Sequence, residues 1–251
     1  MGPLRKWFLD IVFPRQCLGC ETLISGDEES YVCRKCLAGV RIKNDFACAF
    51  CGSPVIMGKT CPFCGADHFL DRLWVATSYE NPLVEKILKT MKYRFVKSLA
   101  GDVAGLMAKY LKRRLASCLD ICSNSVIVVP VPLHRLRLNW RGFNQAEVIG
   151  QKIADLLNWP LVVDALKRDY QRKPQAQITD RESRISNVKE IFRCLNPEAA
   201  GGKTVVLIDD IATTGSTLND CARALKGAGA KEVAGFVFAK GTFASDKKLL
   251  Q

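Results

Sequence analysis

The spacing of hydrophobic residues changes character near residue 72. Downstream of it, short continuous apolar runs alternate with stretches in which apolar residues return every third or fourth position, which predicts strands and helices in alternation. Trp74 to Tyr79, Ser125 to Val131 and Val205 to Ile208 read as strands. The last two are apolar at nearly every position, the pattern of strands covered on both faces of a parallel sheet. Leu83, Ile87, Leu88, Met91 and Phe95 share one face of a helix, as do Val103, Met107, Tyr110, Leu111 and Leu115. Further helices are expected over 146–157 and after residue 217. The expected fold class is α/β, a parallel sheet flanked by helices.

Upstream, that periodicity gives way to cysteines. Eight of the twelve lie in four pairs, Cys17/Cys20, Cys33/Cys36, Cys48/Cys51 and Cys61/Cys64. A CxxC turn brings two thiolates to one ion, and two turns complete a tetrahedral sulfur shell, so the set predicts two structural zinc sites. Sequential pairing (Cys17, Cys20, Cys33, Cys36, then Cys48, Cys51, Cys61, Cys64) and crossed pairing of alternate turns both fit the spacing. Gly19, Gly52 and Gly65 are expected to supply the positive φ that tight turns need. Residues 1–72 hold few large apolar side chains, so metal must replace a core. Structural zinc contributes ~10–16 kcal/mol in small peptides. With cysteine as the only ligand type in the pattern, catalysis by zinc is not expected.

The expected domains are thus a double zinc ribbon over 1–72 and an α/β domain over 73–251. Even CxxC spacing without a secretion signal favours metal over disulfides. The opening run from Lys6 to Phe13 contains Asp10 and stops at Pro14, too short and interrupted for a signal peptide or a membrane span. Trp7, Phe8, Ile11 and Val12 are expected to pack on the neighbouring domain, with the protein cytoplasmic and not inserted in a membrane.

Charge sharpens the division. The chain carries a net +12, of which residues 1–72 supply +1 and residues 73–251 supply +11. The basic excess points to polyanionic ligands, whether pyrophosphate, nucleotide or nucleic acid.

Candidate chemistry concentrates between Val205 and Leu218. Behind the apolar strand stand Asp209 and Asp210, then Ala212, Thr213, Thr214, Gly215, Ser216 and Thr217 at the start of a helix. Amides left without partners at a helix N-terminus, together with the helix dipole, favour a phosphate. The acids would repel that phosphate unless they point elsewhere, and accepting hydrogen bonds from vicinal sugar hydroxyls suits them. A ribose 5-phosphate fits both halves; simple helix capping by the hydroxyl residues is the alternative. Elsewhere, Lys92 is a candidate ligand contact, Asn144 a helix cap, and Arg141 an anion contact. Residues 166–193 carry eight Lys or Arg against four acids, with Gln175, Arg181, Arg184 and Asn187 prominent, and suit a lid or an interaction surface. Cys118, Cys122, Cys194 and Cys221 read as small core residues.

The segment from Val205 to Leu218 resembles the phosphoribosyl pyrophosphate (PRPP) loop of type I phosphoribosyltransferases. That resemblance implies ribose hydroxyls held by Asp209 and Asp210, a 5-phosphate held by Ala212 to Thr217, and Mg2+ accompanying PRPP. It also implies a pyrophosphate loop at Leu133 and His134 with Lys92, and a flexible loop for which Arg141, Asn144, Gln145 and Arg181 are candidates. Thr213 stands where purine-salvage relatives carry an aspartate, which disfavours purine salvage.

Nearly the whole chain resembles the ComF family: double zinc ribbon, Lys92-Tyr-Arg94, Val129-Pro-Val-Pro-Leu-His134, Arg141-Gly-Phe-Asn-Gln145, Gln175 followed by Arg181-Glu-Ser-Arg184 and Asn187, and Asp209-Asp-Ile-Ala-Thr-Thr-Gly-Ser-Thr217. The family implies a role in natural competence, the uptake of single-stranded DNA, with competence proteins and single-stranded DNA as partners. Two expectations follow: a PRPP-type site serving DNA uptake, or a magnesium-dependent phosphoribosyltransferase with an unnamed acceptor. Few aromatic residues interleave with the basic clusters in sequence, which argues against a stacking platform for bases.

Overall fold

The computed structural model describes residues 15–24, 30–114, 125–169 and 191–241. Trp7, Phe8, Ile11, Val12, Cys118, Cys122, Gln175, Arg181, Arg184 and Asn187 lie outside the described residues.

The zinc-ribbon half contributes two short helices, α1 (Arg34–Gly39) and α2 (Pro62–Gly65). Strand β1 (Arg72–Ser78) then leads into α3 (Pro82–Tyr93) and α4 (Leu99–Arg114), and β2 (Val126–Pro130) into α5 (Arg135–Arg141) and α6 (Gln145–Leu157). A small antiparallel pair, β3 (Leu166–Arg168) with β4 (Phe192–Cys194), and α7 (Pro197–Ala200) precede β5 (Thr204–Ala212), α8 (Ser216–Gly227) and β6 (Glu232–Lys240). β1, β2, β5 and β6 form one all-parallel sheet in the order β1-β6-β5-β2.

Alternation along the strands divides the core into two layers. Val128, Val206, Ile208, Phe236 and Phe238 face α3, α4 and α6, whereas Val129, Val205, Leu207 and Val237 face α8 and the β3–β4 pair. Because both faces are covered, successive residues are buried, which is why β2 and β5 read as continuous apolar runs. Local signals fix the helix starts: Asn81 and Asn144 each accept backbone N–H bonds that α3 and α6 leave unpaired.

The end of β5 positions the site. The β2–β5 ladder closes at Pro130 opposite Ile208, with a last bond from the Val131 N–H to the Ile208 carbonyl. On the other side, β5 stays paired with β6 as far as Ala212 opposite Lys240. The sequence places the acids behind the strand; in the structure β5 runs on through both, and the loss of its β2 neighbour opens a cleft beside them.

Candidate functional site

Two clusters of four cysteines each bring their sulfurs within 4.8 Å of one another: Cys17, Cys20, Cys33, Cys36, and Cys48, Cys51, Cys61, Cys64. The sequential pairing is therefore the observed one. All-thiolate donor sets of this spacing fit tetrahedral zinc.

The two centres repeat one hairpin. The Cys17 N–H donates to the Thr22 carbonyl at 2.9 Å and the Cys48 N–H to the Ser53 carbonyl at 2.8 Å. Hydroxyls of Thr22 and Ser53 lie 2.9 and 3.0 Å from the sulfurs of Cys20 and Cys51, and these contacts lead in pulling both thiols down to about 6. Thiolates, which zinc requires, are thus favoured at matching positions.

The glycine expectation holds only in part. Gly52 takes φ +75°, but its counterpart in the first hairpin is Glu21 at φ +61°. Gly19 is required for another reason: a Cβ there would meet the sulfur of Cys36 at 2.8 Å. Gly65 faces open space and has no positive φ.

The cleft at the carboxyl end of the sheet has a volume of about 710 Å³. Lys92, Leu133, Arg141, Asn144, Gln145, Asp209, Asp210, Thr213 and Thr217 all line it. Successive strand residues point to opposite faces, and the acid pair divides accordingly. Asp210 is buried against α3, with its carboxylate 3.0 Å from the Lys92 ammonium. Asp209 is half-buried; one of its oxygens accepts the Asp210 N–H at 2.8 Å. Burial, and then the neighbouring Asp210 charge, push the Asp209 carboxyl up to about 7, while Lys92 and Arg168 oppose the rise. The pair is therefore unequal: Asp210 is committed to Lys92, whereas Asp209 accepts the Asp210 N–H at the wall of the cleft.

Gly215, at φ +80°, turns the chain into α8, whose first-turn amides have no partners within the helix. The loop has two sides. Thr213 and Thr217 face the cleft, while Thr214 and Ser216 face a second hollow against Phe50, His68 and Phe69 of the zinc-ribbon half.

The residues expected on a flexible loop are packed where the structure describes them. Arg141 closes α5 and is buried, donating through Nε to the Lys92 carbonyl at the end of α3. Burial lowers its pKa, and Asp210 counteracts that effect. Asn144 caps α6 and donates to the Val131 carbonyl, pinning the chain that leaves β2. Gln145 is 2 % exposed, and its Nε2 has no hydrogen-bond partner although the residue lines the cleft. His134 caps α5 by accepting the Leu136 N–H. The shared physical reason is that these motifs form helix ends, where side chains satisfy backbone groups.

No role at the cleft was legible in the sequence for Tyr93, Arg137, Trp140 and Arg168, and Phe95, expected on the apolar face of α3, instead lies beyond the end of that helix and is exposed. Trp140 packs edge-on to Phe95 at 5.1 Å and to Tyr93 at 6.3 Å, and all three rings are exposed. Phe95 sits at φ +57°, a strained conformation for an aromatic residue. Basic and aromatic side chains do meet here, since Tyr93, Arg137, Trp140 and Arg168 all line the cleft. Their separation in sequence, in α3, α5 and β3, hid the cluster.

The model of the "Phosphoribosyl transferase domain" family matches residues 144–247, and that of the "Double zinc ribbon domain" matches residues 8–67. The chain is 25% identical over 223 residues to "Competence protein F" of Haemophilus influenzae, spanning 81% of this chain and 94% of the relative. It is 25% identical over 229 residues to "Competence protein ComFC" of Bacillus subtilis (83% and 88%). It is 27% identical over 219 residues to "DNA utilization protein YhgH" of Escherichia coli (80% and 93%). The chain is thus similar over about four fifths of its length to proteins named for competence and DNA utilisation, and it carries a double zinc ribbon and a phosphoribosyl transferase domain. The chain joins a double zinc ribbon, with two cysteine centres suited to zinc, to a phosphoribosyltransferase-type parallel sheet. Among the described residues, no helix is long and apolar enough to cross a membrane.

Proposed function

We propose that the cleft binds PRPP or a related ribose phosphate, and that the protein serves the uptake or utilisation of DNA in the cytoplasm. The observation that carries the first part is that Asp209 lines one basic cleft together with Thr213 and Thr217, the latter in the first turn of α8. Asp209 accepts from the ribose hydroxyls, and the amides of 212–217 receive the 5-phosphate. Lys92 keeps two N–H donors beyond the one directed at Asp210, enough to meet a diphosphate. Mg2+ fits only as the companion of that diphosphate. It takes one or two carboxylates plus phosphate oxygens, and Asp210 is already engaged by Lys92.

The DNA role rests on the relatives named for competence and DNA utilisation and on the exposed Tyr93, Phe95 and Trp140 beside basic residues. Single-stranded DNA binds such surfaces by base stacking and phosphate neutralisation. Its affinity falls with salt at a logarithmic slope of about −0.7 per phosphate contact. Calorimetry with PRPP and magnesium tests the first reading: binding by the wild type and its loss in Asp209→Asn support it, and no binding by the wild type overturns it.

A second reading is turnover. Gln145 offers a buried, unpartnered amide on the cleft wall, and the cleft exceeds what a sugar phosphate fills. Phosphoribosyl transfer needs positioning and charge stabilisation rather than a nucleophilic side chain. Pyrophosphate release on adding candidate acceptors decides between binding and catalysis.

A further inference from the structure

The apex of the proposed phosphate loop is walled by the second zinc hairpin. Gly215 lies against the Ala49-Phe50 tip between Cys48 and Cys51: a Cβ on Gly215 would sit 3.5 Å from Cε1 of Phe50 and 3.9 Å from Cβ of Ala49. The tip is itself held firmly. Phe50 stacks on His68 with ring centroids 3.6 Å apart, and the half-buried Lys240 ammonium donates to the Ala49 carbonyl at 2.9 Å. Lys240 stands opposite Ala212 in the β5–β6 register, so one residue ties the hairpin to the strand from which the loop departs. On the far side of the loop, Phe69 and Leu70 donate their N–H groups to the Asn219 side chain in the first turn of α8, at 2.7 and 3.2 Å. The loop is thus clamped at both ends and at its apex, with the apical contact made by a side chain that the second cysteine centre presents.

Thr213 and Thr214 are half-buried, and Ser216 and Thr217 are exposed, so the loop has little packing of its own. Amides that must converge on one phosphate lose affinity when the loop samples other shapes, and an external wall restrains that sampling.

We propose that Phe50 is a positioning residue for the 5-phosphate loop, and that the Cys48–Cys51–Cys61–Cys64 centre acts on ribose-phosphate affinity through it. This rests on the ribose-phosphate reading above. The first centre plays no such part, since its hairpin lies against Leu83 at the start of α3.

The test uses the full zinc-loaded chain, titrating ribose 5-phosphate by calorimetry into wild type, Phe50→Ala and Phe50→Leu, with metal content measured alongside. Phe50→Ala is expected to weaken binding about tenfold with two zinc ions retained. Phe50→Leu, which refills only part of the space, is expected to show a partial loss of affinity, smaller than that of Phe50→Ala. Hydrogen exchange at amides 213–218 of the unliganded protein accelerates in Phe50→Ala, whereas amides in β5 do not change. Wild-type affinity and exchange in Phe50→Ala overturn the role of Phe50 while leaving the ribose-phosphate site standing. Absence of ribose 5-phosphate binding by the wild type overturns both. If Phe50→Ala loses zinc, Phe50→Leu decides: a partial loss of affinity with faster loop exchange supports the role, and wild-type values overturn it.

Discussion

The two cysteine centres are built from one hairpin and put to different use. Both place a buried cysteine first in the hairpin, Cys17 and Cys48, and both set a hydroxyl beside the second, Thr22 and Ser53. Their surroundings diverge. Cys17 joins Val32, Val40 and Ile42 in the large core beneath β1, α3 and α4. The second hairpin sends Ala49 into the opposite core and Phe50 against the loop before α8. Identical local chemistry can therefore serve stability in one copy and site geometry in the other, because packing partners, not ligands, decide what a structural metal supports.

The largest expected effect separates these uses. Cys17→Ser removes a ligand from the centre embedded in the main core, and structural zinc is worth ~10–16 kcal/mol, as much as a whole fold's net stability. That variant is expected to retain one zinc ion and to melt far below the wild type by circular dichroism. Cys48→Ser also drops to one zinc, but its thermal midpoint falls less and its ribose 5-phosphate affinity falls more. Equal losses of both properties in the two variants would break the comparison.

Next in size is the buried pair Lys92–Asp210. Removing one member leaves an uncompensated charge, at a cost of about 3–5 kcal/mol. Asp210→Asn and Lys92→Met are each expected to destabilise by that order in urea unfolding. The double variant should be destabilised by clearly less than their sum. Additivity would show that the pair does not interact.

Smaller again are the two glycines. Gly19→Ala pushes a methyl onto the sulfur of Cys36 and is expected to release the first zinc, read by metal analysis. Gly215→Ala forces a side chain into a left-handed turn at about 1–3 kcal/mol. Both zinc ions are expected to stay, while phosphate affinity drops.

The smallest effect is a pH dependence. The ordinary aspartate value is ~3.9, and Asp209 is raised to about 7. Between these values the folded chain holds a proton that the unfolded chain has released, so this group lowers stability as pH rises through the window and adds nothing further above it. Asp209→Asn is expected to flatten that part of the stability profile. Sugar hydroxyls favour the ionised carboxylate, so ribose 5-phosphate affinity should rise with pH towards 7 by more in the wild type than in Asp209→Asn. Parallel profiles would remove Asp209 from the ligand.

The α/β class, the strands at 205–208 and 125–131 and the eight zinc ligands were all legible in the sequence. Apolar periodicity and CxxC spacing are local consequences of burial and of coordination geometry. Less legible were Arg141 and Gln145, which the resemblance assigned to a flexible loop and which are instead buried at helix ends, whereas Asn144 caps α6 as its place in the sequence suggested. Equally hidden was Trp140, which meets Phe95 only because α5 returns beside the end of α3.

The sequence by itself determined that this chain would hold two sulfur-ligated metal centres and a parallel sheet ending in an acid pair and a small-residue turn. Tertiary structure alone decided which hairpins pair, that Asp210 turns to Lys92 while Asp209 accepts the Asp210 N–H at the cleft wall, and that the second hairpin walls the turn. The division has a physical cause. Ligand type and strand burial are written in neighbouring residues, but a contact such as Phe50 with Gly215 joins positions 165 residues apart and leaves no mark on either local pattern.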